Sequence, residues 1–166
     1  MKVVVDTREQ TPYDFENMIV KTLKTGDYSV VDYEDEVAVE RKGVSDAIGS
    51  VLQGRVRFEK EWERAKHFKR FFIVIEGTQN MIRKEIIKLS LMNNGNPNRI
   101  KRNVKSVLHT YIHWSAKYGV PVFFCEGREE AKWLTFELLR ASVKYLDNGK
   151  IPIDEASLVE KFNLGI

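Results

Sequence analysis

The sequence predicts an α/β fold in which a central mixed β-sheet is flanked by helices. Three observations carry that expectation. The run Phe71-Phe72-Ile73-Val74-Ile75 is apolar throughout, as a strand covered on both faces is. Short strand-like segments crowd the first 42 residues, whereas strands and long amphipathic helices alternate afterwards. The long helices of the second half carry apolar stripes at helical spacing.

Taken in order, Val3-Val4-Val5 reads as a buried first strand ending at Asp6, and residues 19–23 as a second. Thr25-Gly26-Asp27 is a turn. A third strand is expected over 28–33, a tight connection at Glu34-Asp35, and a fourth strand over 36–42. Alternation along that fourth strand places Ala38, Glu40 and Lys42 on one face and Val37, Val39 and Arg41 on the other. Ser45 is a suitable N-cap for a helix running towards Gln53, with Asp46 in its first turn. Gly54 interrupts, and 55–68 resumes as a helix with Val56, Trp62 and Ala65 as core positions. After the apolar strand come a helix near 80–92, a loop over 93–98 and a long helix near 99–118. That long helix carries a stripe of Ile100, Val104, Val107, Leu108, Tyr111 and Ile112. A strand over 120–125 leads to a last long helix, 129–146, with Ala131, Leu134, Leu138, Leu139 and Val143 at helical spacing. Residues 1–146 form one domain in this reading, and 147–166 a tail with one appended helix bearing Leu158, Val159 and Phe162.

Composition narrows the class. With 166 residues, 43% hydrophobic and 31% charged, the chain has the make-up of a globular protein. No apolar run approaches the roughly 20 residues of a membrane helix, and Asp6 falls too early for a secretory signal. The single Cys125 excludes an internal disulfide and a Cys-rich zinc cluster, and an intracellular location is expected. His109 and His113 are spaced for a metal pair but lack a third ligand, so packing or solvent exposure is the plainer role. Trp62, Trp114 and Trp133 lie on helices and suit a core or a dimer interface.

The net charge of +3 is unevenly spread. Residues 80–120 hold Arg83, Lys84, Lys88, Arg99, Lys101, Arg102, Lys105 and Lys117 against one acid, Glu85. The rest of the chain is therefore acidic. A basic segment beside an acidic site suits a protein that grips phosphates while carboxylates hold a cation.

The chemistry concentrates between residues 27 and 46. Asp27 on a turn, Glu40-x-Lys42 on a strand and Asp46 at a helix start lie within 20 residues, and Asp6 ends a neighbouring strand. Hard oxygen ligands with an ammonium beside them are what divalent-cation-dependent phosphodiester hydrolysis requires. Taken singly, each is an ordinary ion pair or turn residue. The conjunction carries the expectation.

These segments resemble a known family. Val5-Asp6-Thr7-Arg8-Glu9, Gly26-Asp27-Tyr28 and Glu40-Arg41-Lys42-x-x-x-Asp46 are similar to the nuclease domain of the XPF family, a restriction-endonuclease-like group. Ser50-Val51-x-x-Gly54-Arg55, Ile75-Glu76-Gly77 and Gly119-Val120-Pro121-Val122-Phe123 extend the likeness over about residues 1–146. The resemblance implies a Mg²⁺- or Mn²⁺-dependent DNA endonuclease acting on flap, fork or junction DNA. Asp27 and Glu40 would be the main metal ligands, with the Arg41 carbonyl as a third. Lys42 would position water or stabilise developing charge. Asp6 and Asp46 would support the metal shell or orient Lys42 and Arg41. Arg8 and Arg55 would meet phosphates or form structural ion pairs with Glu9 or Glu59, and Lys101, Arg102 and Lys105 would add nucleic-acid contacts. The family usually carries tandem helix-hairpin-helix motifs, which this sequence lacks. DNA affinity is then expected from the basic segment, from a homodimer, or from a protein partner. The alternative is a non-catalytic DNA-binding or scaffold subunit of the same fold. A compact chain of this kind would suit a virus or mobile element.

Overall fold

The alternation of apolar residues along the two longest strands divides the interior into two layers. The computed structural model describes residues 1–92 and 95–147. In chain order the elements are β1 (Val3–Val5), β2 (Met18–Val20), β3 (Tyr28–Val30), β4 (Val37–Gly43), α1 (Val44–Leu52) and α2 (Arg55–Ala65). They continue with β5 (Arg70–Glu76), α3 (Gln79–Met92), α4 (Pro97–Tyr118), β6 (Val122–Phe124) and α5 (Arg128–Asp147). The six strands form one mixed sheet in the order β2-β1-β3-β4-β5-β6. The β1–β3 and β3–β4 pairs are antiparallel; β1–β2, β4–β5 and β5–β6 are parallel. The expected mixed α/β architecture is thus the observed one.

One layer contains Ala38, Phe71, Ile73 and Ile75 from the sheet, packed with α1 to α4. Its centre is a cluster of aromatic rings, Phe58, Trp62, Tyr111 and Trp114. The other layer takes the intervening residues Val37, Val39 and Val74, with Tyr13, Phe15 and the Ala131 and Leu139 face of α5. Adjacent strand residues thus supply opposite cores, which is why the central run is apolar without interruption.

Several boundaries differ from the sequence expectation, each for a local reason. The second strand is Met18–Val20, not 19–23, because the chain leaves the edge and Leu23 donates its amide to Asp6 at 2.6 Å. The third strand stops at Val30, and Asp32 turns the chain with φ 72°. Helix α1 starts at Val44 behind Gly43 with no side-chain cap, so Ser45 lies inside it. Val56 is 73% exposed and Ile112 55%, although both were expected in the core. Phe58 and Trp114 fill that space, since large rings lie between α2 and α4. Helix α4 begins two residues early at Pro97, where Asn96 accepts the Arg99 amide at 2.8 Å. The expected helix with Leu158, Val159 and Phe162 lies outside the described residues. Among the described residues no helix is long and apolar enough to cross a membrane.

Candidate active site

The site begins with a glycine. Gly26 has φ +87°, and a Cβ there would come within 2.9 Å of the Ala38 Cβ. Only glycine lets the turn lie this close to β4. The next residue is thereby locked into the sheet: the Asp27 amide donates to the Val39 carbonyl at 2.9 Å, and the Asp6 amide donates to the Asp27 carbonyl at 2.8 Å. The Asp27 side chain is aimed by the Arg41 amide, which donates to its Oδ2 at 2.8 Å.

Strand β4 then distributes its three motif residues as its alternation demands. Glu40 and Lys42 share a face, and Lys42 Nζ lies 3.0 Å from Glu40 Oε1. Lys42 is buried, with its ammonium 4.9 Å from the Phe58 ring centre. Arg41 points the other way, donating through Nε and Nη2 to both oxygens of Glu76 at 2.8 Å. Its Nη1 lies 3.4 Å from Glu9 Oε1. Arg128 joins Glu76 at 3.2 Å and donates to the Thr11 and Pro12 carbonyls at 2.9 and 2.8 Å. This network holds the 9–13 segment as one rim of the cleft.

The cleft has a volume of about 940 Å³, and Arg8, Asp27, Glu40, Lys42, Asp46 and Arg57 are among its lining residues. The structure therefore brings five sequence candidates, Asp27, Glu40, Lys42, Asp46 and Arg8, to one cavity. Arg41 also borders it.

Asp6 is placed differently. Its carboxylate is 1% exposed and accepts the Arg8 amide at 2.8 Å, Arg8 Nε at 2.7 Å, Arg8 Nη2 at 3.1 Å and the Leu23 amide at 2.6 Å. Both oxygens are committed, so Asp6 braces the Asp27 backbone and aims Arg8. Burial pushes its pKa up, but the bonds from Arg8 and Leu23 outweigh that and hold it below the usual carboxylate range. Arg8 itself is 66% exposed and borders the cleft.

Arg55 and the basic helix residues do not enter this cavity. Arg55 donates to Thr110 Oγ1 at 2.8 Å and lies 4.9 Å over the Trp114 ring, while Glu59 pairs with Lys117 at 3.1 Å. Arg55, Arg102, Lys105 and Lys117 line a separate open groove between the α1–α2 corner and α4. Lys101, exposed on α4, does not line that groove. His109 and His113 stack at 5.6 Å on the same groove.

Glu61 was not anticipated. It stands on α2, with its Oε2 3.6 Å from Lys42 Nζ. The available signal was its position at the edge of the Phe58–Trp62–Ala65 stripe, where helical spacing expects an apolar residue.

The electrostatics follow from this placement. Burial and the negative charge of Glu40 push the Asp27 carboxyl up to about 8, against the lowering effect of the Arg41 amide. Burial disfavours the Lys42 ammonium, but the Glu40 and Glu61 carboxylates outweigh it and raise its pKa. A cation bound beside the two carboxyls would relieve the repulsion that raises Asp27. Among the described residues no three Asp, Glu, His or Cys side chains converge to hold a metal ion by themselves. A pair of carboxylates opening on a wide cleft nonetheless fits Mg²⁺ or Mn²⁺, which complete their shell with water, backbone oxygen and substrate phosphate. It does not fit a closed zinc site.

The mixed sheet thus presents Asp27 and Glu40-x-Lys42 to one cleft. The chain belongs to the ERCC4 domain family, whose profile matches residues 5–136. Its fold is similar to that of XPF from Aeropyrum pernix, with 24% identity, a TM-score of 0.63, and coverage of 86% of this chain and 61% of the other. It is also similar to XPF from Aeropyrum pernix in complex with DNA, with 23% identity, a TM-score of 0.62, and coverage of 98% and 82%. The chain thus spans 61% of the first of these. No curated protein matches the sequence. The resemblance to XPF nuclease domains drawn from the motifs agrees with both the family match and the fold.

Proposed function

We propose that this protein is a divalent-cation-dependent endonuclease that hydrolyses phosphodiester bonds in DNA at flaps, forks or junctions. The observation that supports it most strongly is the Asp27–Glu40–Lys42 group, in which a buried carboxyl is forced up to about 8 beside a second carboxylate and a paired ammonium. Such perturbed pairs are uncommon away from functional sites.

In this reading Asp27, Glu40 and the Arg41 carbonyl would hold Mg²⁺ or Mn²⁺. The cation supplies charge neutralisation at the scissile phosphate. Lys42 orients the attacking water and counters negative charge as it develops. Arg8, held by Asp6, and Arg57 present cations to flanking phosphates. Arg41, tied to Glu76, keeps the strand and the 9–13 rim in register. Asp46, at the start of α1, would support the residues that hold the cation. Arg55, Lys101, Arg102 and Lys105 add affinity for the phosphate backbone beyond the cleft. The protein works inside the cell as a homodimer or with a protein partner that supplements its grip on DNA.

The test is cleavage of labelled single-stranded, duplex, flap, fork and splayed-arm DNA with Mg²⁺, Mn²⁺ or EDTA. Wild type is compared with Asp27→Ala and Glu40→Ala. Metal-dependent cuts near one junction, abolished in both variants while DNA binding survives, are expected. Cleavage that persists in both variants rejects the assignment of the site. Binding without any cleavage by wild type makes the protein a scaffold.

A further inference from the structure

Lys42 has an acidic neighbour with no role in the mechanism above. Glu61 reaches it from α2 across the sheet face, and its Oε2 is buried without a hydrogen-bond partner. The 3.6 Å separation from Lys42 Nζ is an ion-pair distance but too long for a hydrogen bond. The ammonium meanwhile donates to Glu40 at 3.0 Å. Lys42 therefore stands between two carboxylates and is bonded to one of them. Closing the gap to Glu61 by well under an ångström would make a second charge-assisted bond.

The distribution of charge points the same way. Asp6 is balanced by Arg8, and Glu9 and Glu76 by Arg41 and Arg128. Among the described residues Lys42 is the one cation at ion-pair distance from Glu40 and Glu61, so carboxylates outnumber ammonium groups at this point of the cleft and a cation would be welcome there. If the Glu40 oxygen that faces Lys42 turns to that cation, it no longer anchors the ammonium. An unanchored buried lysine would lose both its partner and its aim. The partnerless oxygen of Glu61 is the nearest replacement.

We propose that Glu61 is a positioning residue that receives the Lys42 ammonium when Glu40 turns to the cation, keeping it directed at the scissile phosphate. The role rests on the hydrolase reading of the same cleft. It assigns Glu61 no contact with the substrate.

The experiment compares wild type, Glu61→Gln, Lys42→Met and the double variant. Single-turnover cleavage is measured with Mn²⁺, DNA affinity by fluorescence anisotropy in EDTA, and stability by urea unfolding without metal. Misplacing a catalytic group by about 1 Å costs on the order of a hundredfold, so Glu61→Gln is expected to slow cleavage about ten- to a hundredfold. DNA affinity should stay within about twofold, because the effect runs through Lys42 and not through phosphate contacts. Once Lys42 is methionine, Glu61→Gln should cost nothing more in rate. The unfolding free energies should also be non-additive, which reads the pairing even where Lys42→Met leaves no measurable cleavage. Glu61→Gln cleaving like wild type, or additive effects in the four-variant set, overturns the proposal. An inert wild type overturns the hydrolase reading and this role together. An active wild type with an indifferent Glu61→Gln overturns this role alone.

Discussion

Asp27→Asn isolates the electrostatic cost of the site. The amide keeps an acceptor for the Arg41 amide and nearly the same volume, while removing the charge that opposes Glu40. The folded carboxyl lies near 8 against an ordinary 3.8. Because the native state holds this proton more tightly than the unfolded chain, stability falls as pH rises from about 4 to about 8. Each unit is worth about 1.4 kcal/mol, which sets a ceiling near 6 kcal/mol. Relaxation and water entry reduce such penalties in real interiors, so about 2–3 kcal/mol is the expected gain of Asn over Asp at pH 9. For a chain of this length that corresponds to about 5–10 °C in Tm. The assay is thermal unfolding of both proteins in EDTA from pH 4.5 to 9. The two curves should nearly coincide at pH 4.5 and separate progressively towards pH 9. Mn²⁺ should then raise the wild-type Tm by mass action and leave Asp27→Asn almost unmoved. A gap that does not change with pH, or an Asn variant less stable at pH 9, refutes the reasoning.

Three further outcomes follow from the packing. Arg41→Ala leaves Glu76 and Glu9 without their main partner, and urea unfolding should show a loss of about 3–5 kcal/mol; a loss under about 1 kcal/mol would place the network on the solvated surface. Gly26→Ala combines a left-handed backbone, costing about 1–2 kcal/mol, with an overlap against Ala38, so calorimetry should register destabilisation and cleavage should fall with the displaced Asp27. Unchanged Tm and rate would contradict the tight approach of turn and strand. Val56→Lys should shift stability by less than about 0.5 kcal/mol, whereas Phe58→Ala should cost about 3–5 kcal/mol; equal effects would contradict the exposed and buried placements of these two residues.

Most of the fold was legible because its signals are local. Strand alternation at 37–42 assigned Glu40 and Lys42 to one face and Arg41 to the other, and the structure keeps that division. The glycine before Asp27 announced a turn, and the apolar 71–75 run a central strand. Side-chain choices within a helix were less legible. Val56 and Phe58 are both apolar on the same helix, and only the neighbouring α4 decides which is covered.

The sequence by itself determined the mixed α/β architecture and the residues able to carry chemistry, because periodicity and turn chemistry act over a few neighbouring positions. Tertiary structure alone decided what each acid does. Asp6 and Asp27 are both aspartates beside a strand end. Asp6 meets four N–H donors from Arg8 and Leu23 and becomes a brace. Asp27 meets Glu40 in a buried cleft and has its carboxyl pushed up to about 8. Glu61 is one more helical glutamate until α2 packs over β4 and sets it 3.6 Å from Lys42. The environment of a charge depends on burial and on partners distant in sequence, which come together only when the sheet and its helices pack.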